Sequence, residues 1–251
     1  MYQSQEARRL LKTLKTDIAA SQTAEVGANM GKTNLYSSIL AAKNITDSVL
    51  VGLSGGKDSV VTLDLCMKHF KNVQPFFMYV VQGLEFQEKT LCYYEKRYGC
   101  EVLRVPHFML SDFLRYGTFR QEDFNVPMVK TVELYNYLRE QTGIYWIACG
   151  ERIADSIVRR AMIKNSGSID KKRGRIYPIA EWNKADVMSY LRLHRLPLSL
   201  ENRVLGFSFR SLQGLELMKI KEHFPDDYEK IKKAFPLVDV ALKKEEYYGE
   251  A

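Results

Sequence analysis

The run Val49-Leu50-Val51-Gly52-Leu53-Ser54-Gly55-Gly56-Lys57-Asp58-Ser59 holds the residues of this chain best placed to do chemistry. Its apolar, β-branched start over 49–53 reads as a buried strand. Val60, Val61, Leu63, Cys66, Met67 and Phe70 then recur at helical spacing. Between strand and helix, Gly55 and Gly56 permit a tight turn and let backbone N–H groups approach a ligand without a Cβ in the way. Ser54 and Ser59 add hydroxyl donors, and Lys57 adds a compact cation for phosphate oxygens. A strand, a glycine turn and a helix N-terminus in this order form an anion trap whose charge suits pyrophosphate. Asp58 cannot attract phosphate; it is read either as a helix cap or as a holder of Mg²⁺.

Two further blocks carry candidate groups. Trp146-Ile147-Ala148-Cys149-Gly150 reads as a second buried strand ending in glycine, and Glu151-Arg152-Ile153-Ala154-Asp155-Ser156-Ile157-Val158-Arg159-Arg160 follows it. Arginines just past a strand's carboxyl end offer planar forks of donors for phosphate or sulfate. In the segment Tyr177 to Pro197, Asn183 suits a helix N-cap with Asp186 in the first turn, and Val187, Tyr190, Leu191 and His194 share one face. Trp182 and His194 are read there as packing residues. Gly27-Ala28-Asn29-Met30-Gly31-Lys32-Thr33 is one residue short of a Walker A loop and follows no apolar strand, so it reads as a polar connector.

Ser54 to Ser59 after a strand resembles the PP-loop of the ATP pyrophosphatases, the adenine nucleotide α-hydrolase-like superfamily. The Gly150-x-Arg152 block and the Pro-Ile-x-x-Trp…Asp-Val-x-x-Tyr-Leu…Pro stretch resemble the phosphoadenosine phosphosulfate (PAPS) reductase-like family within it. The resemblance spans residues 45–200. It implies binding of ATP and Mg²⁺, cleavage between the α and β phosphates, transfer of adenylyl to an acceptor and release of pyrophosphate. The residues it assigns to catalysis are Lys57, Arg152 and Arg159. Those it assigns to nucleotide binding are Ser54, Gly55, Gly56, Lys57, Asp58, Ser59 and Gly150, with Asp58 as the metal candidate.

Three departures bear on the chemistry. Reductases of this family usually carry a loop without the lysine, whereas Lys57 is present here and favours ATP. They also use a cysteine near the C-terminus, and no cysteine follows Cys149. A thiolate is the nucleophile in that reaction, so a cysteine-dependent reductase mechanism is not expected. Finally, Val81-Gln82 stands where the family usually has Asp-Thr, with Glu85 as a compensating carboxylate. A sulfonucleotide enzyme using an external thiol and a non-catalytic nucleotide-binding subunit stay open as alternatives.

The chain has 251 residues, 46% of them apolar, which suits one α/β domain with appendages. No apolar run is long enough to span a membrane, and the first residues lack a secretory core. Cys66, Cys92, Cys100 and Cys149 form no C-x-x-C pair, which argues against a zinc ribbon and implies reduced, cytoplasmic thiols. A net charge of +7 permits a polyanionic partner, tRNA or DNA among them. The basic stretch Arg159 to Arg175, with Asn165-Ser166-Gly167-Ser168 read as a flexible loop, is expected beside the site, where it would close over ATP or contact nucleic acid. A homodimer or a partner subunit is open.

The elements that must position these groups are five strands, at 49–53, 76–81, 101–105, 145–149 and 175–179. Helices at 58–71, 86–98 and 128–142 alternate with them. This predicts a Rossmann-like, doubly wound, mostly parallel five-stranded sheet with its ligand above the first and fourth strands. Amphipathic helices at 1–20 and 35–42 make a helical extension over 1–44. Residues 45–200 form the nucleotide-binding domain. Residues 201–251 form a tail with a helix from Pro225, in which Gly206 to Arg210 is a candidate to return to the pocket.

Overall fold

A computed structural model describes residues 35–206, 208–209 and 211–248. The account below concerns the compact unit that begins at Tyr36. The expected helix at 1–20 lies outside the described residues.

A short helix α1 (Ser37–Lys43) leads into β1 (Ser48–Gly52), α2 (Lys57–His69), β2 (Asn72–Tyr79), α3 (Glu85–Tyr98) and β3 (Leu103–Pro106). Then come α4 (Phe108–Arg115), α5 (Thr131–Thr142), β4 (Ile147–Ala148), α6 (Ile157–Ser166), β5 (Ile169–Asp170), β6 (Arg175–Ile176) and α7 (Lys184–Leu193). Four helices close the chain: α8 (Leu200–Leu205), α9 (Gly214–His223), α10 (Pro225–Ala234) and α11 (Asp239–Tyr248).

The strand order is β3-β2-β1-β4-β6-β5, and every pairing is parallel except β5 with β6. The sheet is thus α/β and mostly parallel, with six strands rather than the five expected. The extra strand is two residues long and pairs as a hairpin with β6, Ile169 opposite Ile176, too short to leave an alternating pattern. β1 pairs with β2 on one side and β4 on the other, Leu50 opposite Ile147, so the chain reverses direction of travel across the sheet at β1. The loop after β1 therefore sits at the switch point, the crevice where open α/β sheets bind ligands.

β2 begins four residues earlier than expected and takes in Pro75, a residue that strand interiors ordinarily exclude. Its tolerance has a simple cause. Pairing with β3 starts only at Phe76, opposite Leu103, so Pro75 has a neighbour on the β1 side alone.

One face of the sheet packs Leu50, Phe76, Val105, Ile147 and Tyr177 against Leu134 and Leu138 of α5 and Ile163 of α6. Val49 and Val51, fully buried, flank Leu50 and by strand alternation face the other layer. There α2 packs on β1 and α7 on α2. Asp64, buried on α2, accepts hydrogen bonds from the Tyr98 and Tyr190 hydroxyls at 2.6 and 2.7 Å and pairs with Lys68 at 2.7 Å. Asn183 caps α7 as expected, its Oδ1 accepting from the N–H of Ala185 and Asp186 while Asp186 accepts from the N–H of Asn183. Trp182 is buried edge-on against Tyr190, which is a packing role.

Val80, Val81, Leu84 and Phe86 form a further core with Leu205, Leu217, Tyr228 and Ile231 of the C-terminal helices and with Phe209 and Phe235 in the turns between them. The apolar Val81 thus seats those helices. Asp227 of α10, buried, accepts from the N–H of Glu85 and Phe86 at 2.7 and 3.0 Å and so caps α3 from across the chain. Glu85 itself is spent in an exposed pair with Lys89 and supplies no carboxylate to the site. Among the described residues no helix is long and apolar enough to cross a membrane.

Candidate active site

The turn after β1 is built from its own hydroxyls. Ser59 Oγ donates to the carbonyl of Gly56 at 2.9 Å and accepts from the backbone N–H of Ser54 at 3.1 Å, with the Ser54 hydroxyl also 3.1 Å away. This bracket holds Gly55 in the left-handed region, at a φ of 76°, where a side chain is strained. Gly56 caps α2, whose first residues are Lys57 and Asp58. The loop's N–H groups therefore stand at a helix start with a lysine beside them.

Arg152 ties this loop to the next strand. Its Nη2 donates to Asp155 Oδ1 at 2.7 Å, its backbone N–H donates to Asp155 Oδ2 at 2.9 Å, and its Nη1 reaches the Trp182 carbonyl at 3.5 Å. Its Nε lies 3.0 Å from Asp58 Oδ1, but the N–H is not aimed at the oxygen, so this contact is one of charge. The other Asp58 oxygen pairs with Lys57 Nζ at 2.6 Å. Gly150 explains the close approach: a Cβ there would lie 3.1 Å from the Asp58 backbone carbonyl. Any larger residue at 150 would push the segment after β4 away from the first turn of α2 by a few tenths of an ångström.

Ser54, Gly55, Gly56, Lys57, Asp58, Ser59, Gly150 and Arg152 are thus brought together. Arg159 joins at one remove: it sits on α6, half exposed, and reaches the group through Asp155 at 3.1 Å. Asp58 does not fit a resident metal ion, because each of its oxygens faces a cation. Among the described residues no three His, Cys, Asp or Glu side chains gather to hold a metal.

Sequence reasoning did not assign the groups that close the loop from the far end of the chain. The backbone N–H of Ser199 donates to the Gly55 carbonyl at 3.2 Å. Asn202 Nδ2 donates to Ser199 Oγ at 2.8 Å and to Ser208 Oγ at 2.7 Å. Ser208 Oγ lies 3.2 Å from where a side chain on Gly56 would begin, so Ser208 of the expected 206–210 segment stands at the loop; Phe207 and Arg210 lie outside the described residues. Glu201 is buried beside Gly55, and burial pushes its carboxyl up to about 7, against smaller opposing effects of its own backbone and Ser199. Only the short polar run Ser199-Leu200-Glu201-Asn202 marks this wall in the sequence, and such a run ordinarily reads as a solvated helix start.

The basic stretch divides. Asn165 and Ser166 belong to α6, not to a loop. Lys171, Lys172 and Arg173, all exposed, occupy the turn entering β6 at Arg175, which pairs with the first residue of β4. They lie at the amino end of the strands, while the glycine turn leaves the carboxyl end of β1. The expectation that this cluster lies beside the site and folds over it is corrected by the register.

Cys149 is buried at the end of β4, and burial, reinforced by Glu151, holds its thiol well above the usual range.

Residues 48–200 match the phosphoadenosine phosphosulfate reductase domain. The chain belongs to that family. Its fold is similar to that of a solved PAPS reductase from Candida auris in complex with phosphate. The two are 14% identical, with a TM-score of 0.50, and the match covers 72% of this chain and 88% of that one. A U34-tRNA thiolase from Methanococcus maripaludis, carrying an iron–sulfur cluster, matches at 16% identity and a TM-score of 0.43 over 77% of this chain and 73% of that one. An uncharacterized protein of Methanocaldococcus jannaschii is 26% identical over 204 residues, 75% of this chain. The chain spans 41% of that relative's length.

Proposed function

We propose that this PAPS reductase family member binds ATP and cleaves it between the α and β phosphates, transferring adenylyl to an acceptor and releasing pyrophosphate. The observation that carries the reading is Lys57, placed at the helix start of an intact glycine turn. A cation there is matched to β and γ phosphates, which a sulfonucleotide lacks. The nucleophilic atom of the acceptor bonds to the α-phosphorus, the bond from that phosphorus to the bridging oxygen breaks, and pyrophosphate leaves with the electron pair. Lys57 and the N–H groups of the turn offset the charge that grows on the leaving group, so catalysis is positioning and electrostatics. Magnesium enters as part of the nucleotide substrate.

In this reading Arg152 is a brace. Its guanidinium is committed to Asp155, Trp182 and Asp58, and it fixes Asp58, which in turn holds Lys57. Arg159, on the exposed side of Asp155, is the arginine free to approach the α-phosphate or acceptor. No cysteine acts: the Cys149 thiol is buried and its ionised form disfavoured. Residues 45–200 carry the nucleotide, and the segment after 200 completes the wall of the phosphate site.

Titration calorimetry with Mg²⁺-ATP on the native chain and Lys57→Ala tests this. Loss of one charged hydrogen bond predicts a roughly 10- to 100-fold weaker affinity and, once an acceptor-bearing cell fraction is supplied, no pyrophosphate release. Equal affinity in both proteins overturns the reading.

A further inference from the structure

Glu201 is a carboxylic acid almost wholly removed from solvent, 2% exposed, yet one of its oxygens, Oε2, has no hydrogen-bond partner. Burying such a group without a partner is costly, so its place in the fold calls for a reason. The other oxygen, Oε1, lies 3.6 Å from the point where a side chain on Gly55 would begin, and Ser199 Oγ lies 3.2 Å from the same point. Ser199 is fastened to the turn through the Gly55 carbonyl and held in place by Asn202. The carboxyl is therefore packed against the one residue of the phosphate turn whose conformation only glycine adopts freely.

We propose that Glu201 is a positioning residue of the phosphate turn, acting through Gly55 to set how tightly the turn holds the terminal phosphates of a nucleotide. This rests on the ATP reading above and adds to it a group from outside the segment that the family match covers at the loop.

As the neutral acid, Glu201 leaves the anion trap uncharged on this side and keeps a proton to donate. As a carboxylate, it places a negative charge within a few ångströms of N–H groups that must receive phosphate oxygens. The environment favours the neutral form, with the carboxyl pushed up to about 7 chiefly by burial. α8 packs against α3, which carries Glu85, Glu88, Lys89, Glu95, Lys96 and Arg97, and against α9, which carries Glu216, Lys219, Lys221, Glu222 and His223; Lys57 and Asp58 stand at the turn and Arg203 on α8 itself. Lys57 pairs with Asp58, Lys89 with Glu85, Glu216 accepts from Ser211, and Lys219 donates to the Leu205 carbonyl. None of them is a cause of the Glu201 shift.

The test is the pH profile of Mg²⁺-ATP affinity, from pH 6 to 8.5, in the native chain and in Glu201→Gln. Titration of the nucleotide itself is common to both proteins and cancels in the ratio. Native affinity is expected to fall about tenfold more than that of the variant as the carboxyl ionises. Should Glu201→Gln fail to fold, calorimetry of the native chain at pH 8 in two buffers of different ionisation enthalpy decides the matter. Uptake of a proton on ATP binding supports the role, and no uptake overturns it. Identical pH profiles, or a native affinity that rises with pH relative to that of the variant, also overturn it. A native chain that binds no ATP at any pH removes the underlying reading instead.

Discussion

Arg152 Nε stands 3.0 Å from Asp58 Oδ1, and this contact joins the turn after β1 to the turn after β4. The arginine is buried, while Asp58 and Asp155 on either side of it are partly exposed. One cation thus balances two carboxylates across the switch point of the sheet, and the lysine of the glycine turn pairs with the far oxygen of one of them.

Arg152→Ala should therefore act on stability before it acts on chemistry. Asp58 keeps Lys57 and Asp155 keeps Arg159, so what is lost is the charged hydrogen bonding of the buried guanidinium, roughly 2 kcal/mol. Urea denaturation followed by circular dichroism would show the midpoint fall. Arg159→Ala, which removes an exposed partner of the same Asp155, should cost about 1 kcal/mol or less.

Asp64 predicts how the fold meets acid. Burial alone would raise its carboxyl, but hydrogen bonds from Lys68, Tyr98 and Tyr190 bring it below its ordinary value of 3.8. A carboxyl depressed in the folded state contributes stability that is present above its unfolded value and lost as pH falls through the folded one. Native protein should lose stability steeply as pH drops below about 4. Asp64→Asn should lack that component, and at pH 7 it should already be weaker by about 2 kcal/mol. Parallel denaturation curves at pH 7 and pH 3 read both effects.

Glu201 predicts the opposite slope. Its folded value of about 7 lies above the ordinary 4.5. The folded chain therefore holds its proton longer than the unfolded chain, and stability falls as pH rises from 4.5 to 7, then levels off. The loss is about 3 kcal/mol at most. Glu201→Gln should be flat over that interval and more stable than the native chain at pH 8. A melting series across pH 4.5 to 8 shows whether the two curves diverge.

Lys171, Lys172 and Arg173 lie at the amino end of the strands, away from the glycine turn. Replacing all three with alanine should leave ATP affinity within about twofold of native, because exposed charges separated by more than a Debye length, about 8 Å at physiological salt, are largely screened. Titration calorimetry at low and physiological salt would check this, and a large loss at both would mean that the cluster reaches the nucleotide after all.

The glycine turn, the switch-point placement and the Asn183 cap were legible because each is local: a few residues of fixed type in fixed order. The early start of β2 was hidden by Pro75, whose tolerance depends on a partner strand that begins one residue later. β5 and α4 were missed because two residues, and two turns of helix inside a long connection, leave too little periodicity. Ser199, Glu201 and Ser208 were illegible as site residues for a different reason. They lie about 150 residues from the turn they close, and nothing local distinguishes a buried Glu201 from a solvated one. The apolar character of Val81 has its reason in the C-terminal residues packed upon it, which are far away in sequence.

The central claim is that the turn from Ser54 to Ser59 grips the terminal phosphates of ATP and so exposes the α–β linkage to attack. The most direct test is a crystal structure of the chain with the uncleavable analogue α,β-methylene-ATP. The account predicts the β and γ phosphates on the backbone N–H groups of that turn, with Lys57 Nζ turned from Asp58 onto them. A nucleotide lodged elsewhere, with the turn still closed on itself, would contradict it.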